Sequence, residues 1–185
     1  LMTPRVEAAS PRLPVWGAGR IALTPERNAE LTISVSDTSL DPYVRVFEPR
    51  LSPFTTAVAS GTIRVVGELA NLDRLRVDAT VDRFDASLFD YAIRNASPIR
   101  VALDRNIVRV TEMRLVGQDT QLDVSGILDL HNERIAIRTT GDANLGILQG
   151  FVSNMRSSGR AALSAALEGP LGEPLVSGTM TVDNG

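Results

Sequence analysis

The run Leu75-Arg76-Val77-Asp78-Ala79-Thr80-Val81-Asp82 decides the fold class. Leu75, Val77, Ala79 and Val81 alternate with Arg76, Asp78, Thr80 and Asp82. Successive side chains of an extended chain point to opposite faces, so this segment reads as a strand with one apolar and one polar face. The same alternation recurs along the chain. Leu31, Ile33 and Val35 carry it first, then Ile99, Val101 and Leu103. Leu122, Val124, Leu128 and Leu130 follow, and Ile135 and Ile137 resume it after a turn at His131-Asn132-Glu133. Leu163 lies in a later segment, and Met180 and Val182 alternate with Thr179, Thr181 and Asp183. This is the pattern of antiparallel sheet wetted on one side. A parallel α/β chain would show near-continuous apolar strands spaced by long helices, and neither is present. The reading is therefore all-β: an extended, mostly antiparallel, curled sheet of about ten or eleven strands with a few short helices.

Composition narrows the chemistry. Of 185 residues, 43% are apolar and 22% charged, the mixture of a folded chain. Cysteine is absent, which removes disulfides, thiol nucleophiles and cysteine-based metal sites. One histidine leaves almost nothing from which to build a catalytic triad or a histidine metal cluster. A net charge of −3 argues against a general nucleic-acid binder. No apolar run approaches the roughly 18–20 residues of a membrane span, and no signal segment is visible. All 19 basic residues are Arg, and aromatics are only 4%, so Val, Leu, Ile and Ala carry the apolar surface. The chain is expected to form one continuous repetitive β domain over residues 1–185, as a piece of a longer protein.

Helical signals are short. Asp41-Pro42 offers an N-cap followed by proline at the first helical position, with the helix ending by Glu48. A second is read from about Ser87 to Ile93, and a third from Asn144 to Val152. Three boxes share a form: Asp37-Thr38-Ser39-Leu40, Asp85-Ala86-Ser87-Leu88 and Asp142-Ala143-Asn144-Leu145. Each is expected to follow a strand and open one of the short helices. They divide the chain into degenerate repeats of about 31–84, 85–141 and 142–185. A Ser-Gly pair ahead of an alternating run recurs at Ser60-Gly61, Ser125-Gly126, Ser158-Gly159 and Ser177-Gly178. Glycine at a strand start or interior marks a bulge, a bend or a close backbone approach, and each of these glycines is read as opening a strand. Such repetition suggests a sheet extended one unit at a time.

These motifs carry a resemblance. The run Leu167-Glu168-Gly169-Pro170-Leu171-Gly172-Glu173-Pro174, followed by Val176-Ser177-Gly178-Thr179-Met180-Thr181-Val182, resembles the glycine, leucine and proline signature of the TamB/AsmA-like envelope proteins. Val66-Gly67-Glu68-Leu69-Ala70-Asn71-Leu72 repeats that grammar more loosely, and Leu115 to Gly126 is similar to a hairpin of the same family. The resemblance covers the chain from about Leu31 onward; residues 1–30, with several prolines and the single Trp, depart from it. It implies a periplasmic location in the envelope of a diderm bacterium, with an inner-membrane anchor in a segment not present here. It also implies an apolar β-trough, the β-taco of that family, and a part in phospholipid traffic between the inner and outer membranes. An outer-membrane β-barrel is an implied partner. The family brings no catalytic residue and no cofactor.

A sheet apolar on one side must bury that face against something. Three short helices are too little cover for some ten strands. An acyl chain in an open trough is one filling; a sheet closed on itself as a dry sandwich or barrel is the other. If the trough holds, its lining is Leu31, Ile33, Val35, Leu75, Val77, Val81, Ile99, Val101, Leu103, Leu122, Val124, Leu128, Leu130, Ile135, Ile137, Leu163, Met180 and Val182. Two functions stay open: a lipid conduit, and a scaffold for outer-membrane protein or autotransporter assembly that adds a client strand to a sheet edge. The remaining candidates read as structural. His131 is a turn residue. Asp82, Asp85 and Asp90 are solvated or capping groups rather than a cation site. Arg64, Arg74, Arg76 and Arg83 form a basic patch that Asp73, Asp78 and Asp82 are expected to neutralise. The Ser-Gly serines have no base to activate them. Trp16 is read as a packing residue of the first strand.

Overall fold

The computed structural model describes residues 5–10, 15–25, 27–41, 55–88, 91–145 and 159–183. They form one antiparallel sheet of twelve strand segments. The segments are β1 (Arg5–Ser10), β2 (Val15–Ile21), β3 (Asn28–Ser39), β4 (Thr55–Glu68), β5 (Leu75–Leu88) and β6 (Tyr91–Asn95). They continue as β7 (Ile99–Asp104), β8 (Ile107–Gly117), β9 (Thr120–Asp129), β10 (Arg134–Asn144), β11 (Arg160–Pro170) and β12 (Leu175–Asp183). A 3₁₀ turn, Leu72–Arg74, sits between β4 and β5. Sheet order follows chain order, a meander with no crossover. β6 and β7 share one position, each pairing a different half of β5 and of β8. Eleven positions at about 4.8 Å give a sheet on the order of 50 Å along its hydrogen-bonding direction.

The register explains why alternation dominates the sequence. Residues directly opposite each other on adjacent strands share a face. One row runs Ile33, Ile63, Ala79, Val101, Val110, Gly126, Ile137, Leu167 and Val176. The next runs Leu31, Val65, Val77, Leu103, Val108, Leu128 and Ile135. The opposite face carries Arg, Asp, Glu, Thr and Ser, laced by ion pairs between strands. Arg64–Glu30 at 2.9 Å, Arg76–Asp104 at 3.2 Å, Arg114–Asp123 at 2.7 Å and Arg138–Glu168 at 3.5 Å are among them.

A line of irregularities crosses the sheet from β3 to β9. On β3, Ser36 and Asp37 lie opposite Ser60 alone, and on β5 Asp82 is passed over between Val81 and Arg83. β6 and β7 break apart at Ala96-Ser97-Pro98, and on β8 Thr111 and Glu112 form the next extra step. Extra residues bend and twist a strand, so a line of them curls the sheet. Side chains replace the missing ladder bonds. The Ser60 hydroxyl accepts from the Asp37 N–H at 2.8 Å. Asn95 accepts from the Phe84 N–H at 2.7 Å and donates to the carbonyls of Asp82 at 3.0 Å and Ser97 at 2.9 Å. Past β9 the registers of β10, β11 and β12 run without a shift.

The expected all-β, antiparallel, curled sheet is what the chain forms. The helix read over 87–93 is overturned. Ser87 and Leu88 pair with Thr56 and Thr55, and again with Ala92 and Tyr91, as β5 and β6. Cross-strand pairing on both sides outweighs a weak local helical spacing. The Asp85 box therefore lies inside a strand. The other two helices, Pro42 to Glu48 and 146–152, lie outside the described residues. Asp41 is described, and its carboxylate accepts from the Ala57 N–H at 2.7 Å, across the mouth of the β3–β4 connection. Asn144 ends β10.

The glycine pairs are also corrected. Gly61, Gly126 and Gly178 sit inside β4, β9 and β12, and only Gly159 precedes its strand. A Cβ at Gly61 would lie 2.2 Å from the Thr80 carbonyl oxygen, and one at Gly126 2.4 Å from that of Ala136. These positions lack a side chain because a neighbouring strand presses against them.

Candidate functional site

The aliphatic face is the one broad chemical feature of the described sheet. Leu31, Ile33, Val35, Leu75, Val77, Val81, Val101, Leu103, Leu122, Val124, Leu128, Ile135, Ile137 and Leu163 lie on it and are half-buried. Ile99 is buried at 5% exposure. No large side chain is fully buried anywhere in the described sheet. A sandwich or barrel with a dry core would enclose its central Val, Ile and Leu completely. Here Ile99 and Ile93 are buried, and the other central aliphatics are sheltered by their neighbours in the sheet and keep part of their surface open.

Three predicted residues lie at the margins. Leu130 follows β9 at the rim and is 37% exposed. Met180 and Val182 sit on β12, the last strand of the sheet, at 57% and 43%. Val176 on the same strand is 77% exposed, although it belongs to the row that starts at Ile33. Among the described residues β12 pairs with β11 alone, and the face runs on to that strand.

Sequence reasoning left out β4 and β8. Ile63 and Val65 of β4, and Val108, Val110, Met113 and Leu115 of β8, stand on the same face. The β4 signal was available in Ile63-Arg64-Val65, directly after Ser60-Gly61-Thr62. On β8 the apolar positions are even up to Val110 and odd from Met113. The extra step at Thr111-Glu112 shifts the period by one.

The polar face holds no converging chemistry. The basic patch is neutralised, by partners other than those expected. Arg64 pairs with Glu30, Arg74 with Glu68 at 2.7 Å, and Arg76 with Asp104. Arg83 bridges Asp37 at 3.0 Å and Asp85 at 2.5 Å. The Glu68 carboxylate, by hydrogen bond and then by charge, raises the Arg74 pKa above its ordinary value, and Asp123 does the same for Arg114. Among the described residues no three His, Asp or Glu side chains gather as a metal site. A shallow depression of about 580 Å³ opens between Val58, Asp85, Arg94 and Val116, mixed in polarity and on the charged side of the sheet.

His131 stands exposed in the β9–β10 turn, its N–H bonded to the Asp129 carboxylate at 3.0 Å. The Asn132 side chain and backbone N–H also donate to Asp129, at 2.8 and 2.9 Å. These bonds, the Asn132 side chain first, hold the Asp129 carboxyl below its ordinary pKa. Trp16 corrects an expectation: it points to the polar face of β2, opposite Ser34, and is 50% exposed.

Comparison with family profiles, curated proteins and solved structures finds no match to this chain.

Proposed function

We propose that this is a non-enzymatic envelope protein of the TamB/AsmA-like kind, whose apolar β-trough holds acyl chains and conducts phospholipid between the inner and outer membranes of a diderm bacterium. On this reading the chain works in the periplasm, anchored at the inner membrane through a segment not present here. The carrying observation is the aliphatic face itself. It runs in continuous rows across the sheet, remains partly open, and meets no covering layer among the described residues. Apolar contact is non-directional, and each methylene removed from water contributes about 0.8 kcal/mol. Rows of Val, Ile and Leu therefore hold a chain without fixing its chemical identity, and allow it to slide along the long axis. The neutralised outer face fits a wall that meets water.

The test is site-specific photo-crosslinking in cells, with the probe at Val77, Val124 or Leu128 on the aliphatic face and at Asp78 or Asp123 on the polar face. Phospholipid adducts at the first three positions alone are expected. Absence of lipid from all of them overturns the conduit.

One observation favours a second reading, a scaffold for outer-membrane protein assembly. Among the described residues β12 pairs with β11 alone and carries exposed Val176, Met180 and Val182, with no proline and no lysine, features that suit strand addition. Crosslinks from β12 to a protein client, with none to lipid from the sheet centre, would put this reading first.

A further inference from the structure

Five hairpins stand along one rim of the sheet: β2–β3, β4–β5, β7–β8, β9–β10 and β11–β12. The antiparallel meander brings these turns to the same strand ends. They are stitched to one another. The Leu69 N–H donates to the Arg27 carbonyl at 3.3 Å, the Leu130 N–H to that of Asn106 at 2.8 Å, and the Leu171 N–H to that of Glu133 at 2.8 Å. Each acceptor is a turn residue with positive φ, at 51°, 62° and 51°. The Asn106 side chain also donates to the Asp73 carboxylate, which joins the β4–β5 and β7–β8 turns. Every hairpin of this rim is thereby bonded to the next.

The donor in each backbone stitch is a leucine, in the position that continues the aliphatic alternation past the strand end. Leu69 follows Val65 and Gly67, Leu130 follows Leu128, and Leu171 follows Leu167 and Gly169. Gly67 and Gly169 have φ of 125° and 122°, so glycine two residues before the leucine lets the strand end turn. The three leucines are 39%, 37% and 40% exposed. Leu23 repeats the position on the β2–β3 hairpin at 84%, and Arg105 replaces it on β7–β8. Turns ordinarily carry polar residues. Here backbones fixed by hydrogen bonds hold leucines in water along the margin of the aliphatic face.

We propose that this stitched leucine rim is the lip over which an acyl chain passes sideways between a bilayer and the trough. The inference rests on the trough reading. A chain entering sideways must cross the strand ends, and polar turns would force each methylene through water there. A fixed apolar ledge keeps contact continuous from bilayer to floor. It lowers the barrier to entry and exit and leaves the bound state, which lies on the rows of the floor, unchanged.

The test replaces Leu69 and Leu171 together by Asn, which keeps both of their backbone donors and leaves the lining residues untouched. Transfer of NBD-labelled phosphatidylethanolamine is followed between vesicles of phosphatidylethanolamine and phosphatidylglycerol. Lipid per protein at equilibrium is measured by mass spectrometry of the repurified chain. Transfer is expected to slow by roughly fivefold or more, with equilibrium lipid unchanged. An unchanged rate overturns the lip. A parallel fall in rate and occupancy also overturns it, because the leucines then belong to the seat. A parent chain that takes up no lipid sinks the trough reading itself, and that failure shows before any variant is made. Circular dichroism and the thermal midpoint check folding, and single Leu69→Asn and Leu171→Asn variants carry the same comparison if the double variant unfolds.

Discussion

The creased strands β3–β9 and the regular strands β9–β12 are built from the same residue types, and they differ in how their backbones are paired. In the creased part each strand gains or loses a step against its neighbour, and Ser60, Asn95 and Arg83 supply bonds that the ladder omits. In the regular part the ladder is unbroken, and side chains add exposed ion pairs such as Arg138–Glu168 and one bond at the strand end, from the Asn144 N–H to the Thr120 hydroxyl at 3.1 Å. Shelter of the aliphatic face does not follow this division. Ile99 and Ile93, beside the crease, are buried at 5% and 8%, and Ala161 on β11, in the regular part, at 0%, whereas Val176 and Met180 on β12 are largely exposed. Among the described residues β12 has a neighbour on one side only, so pairing on both sides decides how deep the apolar face becomes.

The sharpest way to break this contrast is at Gly61, where the crease crosses β4. Gly61→Val would set a branched side chain against the Thr80 carbonyl and the Val81 Cα, both within 3 Å of an added Cβ. A loss of about 3 kcal/mol or more is expected in urea unfolding. Gly172→Ala, in the β11–β12 turn, meets nothing within 4 Å and is expected to change stability by less than about 0.5 kcal/mol. Equal effects at the two sites would remove the crease from its structural role.

The next largest effect is at Asn95. Asn95→Leu keeps the branched shape and leaves the Phe84 N–H and the Asp82 and Ser97 carbonyls to water or to nothing. About 2 kcal/mol of destabilisation is expected. Hydrogen exchange should be faster at Phe84 and unchanged on β10. Protection at Phe84 equal to that of the parent chain would show that the amide does not close the gap.

The same crease separates what the sequence makes legible from what it hides. β7 and β10 have no extra residue, and their alternation reads directly as Ile99, Val101 and Leu103 or as Ile135 and Ile137. β8 was unreadable because Thr111-Glu112 shifts its apolar positions from even to odd. β5 makes the same shift, from Val81 to Phe84, Ala86 and Leu88. That shift turned a strand and hairpin into an apparent helix over 87–93, since apolar residues three and four apart mimic a helical face. The Ser-Gly pairs were legible as places of close backbone approach, and Gly61 and Gly126 are such places. Their position in mid-strand was not legible, because it depends on which neighbour presses against them. The rim bonds were invisible for a related reason: they join hairpins 24 to 42 residues apart, from Asn106 to Leu130 and from Arg27 to Leu69.

A charge on the aliphatic face sharpens the comparison between floor and edge. Val77 stands between Val65 and Leu103, half-buried. Val77→Asp is expected to destabilise by about 1–2 kcal/mol, through lost apolar contact and a partly desolvated carboxylate. Val176→Asp, at 77% exposure in the original chain, is expected to stay within about 0.5 kcal/mol. If the trough binds acyl chains, Val77→Asp also lowers bound lipid while Val176→Asp does not. Equal losses of stability at both would mean that β12 is covered in solution as fully as the sheet centre.

The smallest effect is at the β9–β10 turn, where the two regions meet. Asp129 is half-buried, its carboxylate accepts from the Asn132 side chain and from the N–H groups of Asn132 and His131, and its pKa lies below the ordinary value. A carboxyl depressed on folding stabilises the fold above its unfolded pKa, and the contribution is lost as pH falls through the folded one. Asp129→Asn should therefore unfold at a slightly lower temperature at neutral pH. The gap to the parent chain should close in acid, below the ordinary carboxylate range. Thermal midpoints at neutral and acidic pH, in salt high enough to screen His131, check this. A gap that persists unchanged in acid would assign the effect to the shape of the turn and not to its charge. The turn would then hold Leu130 on the rim without any help from ionisation.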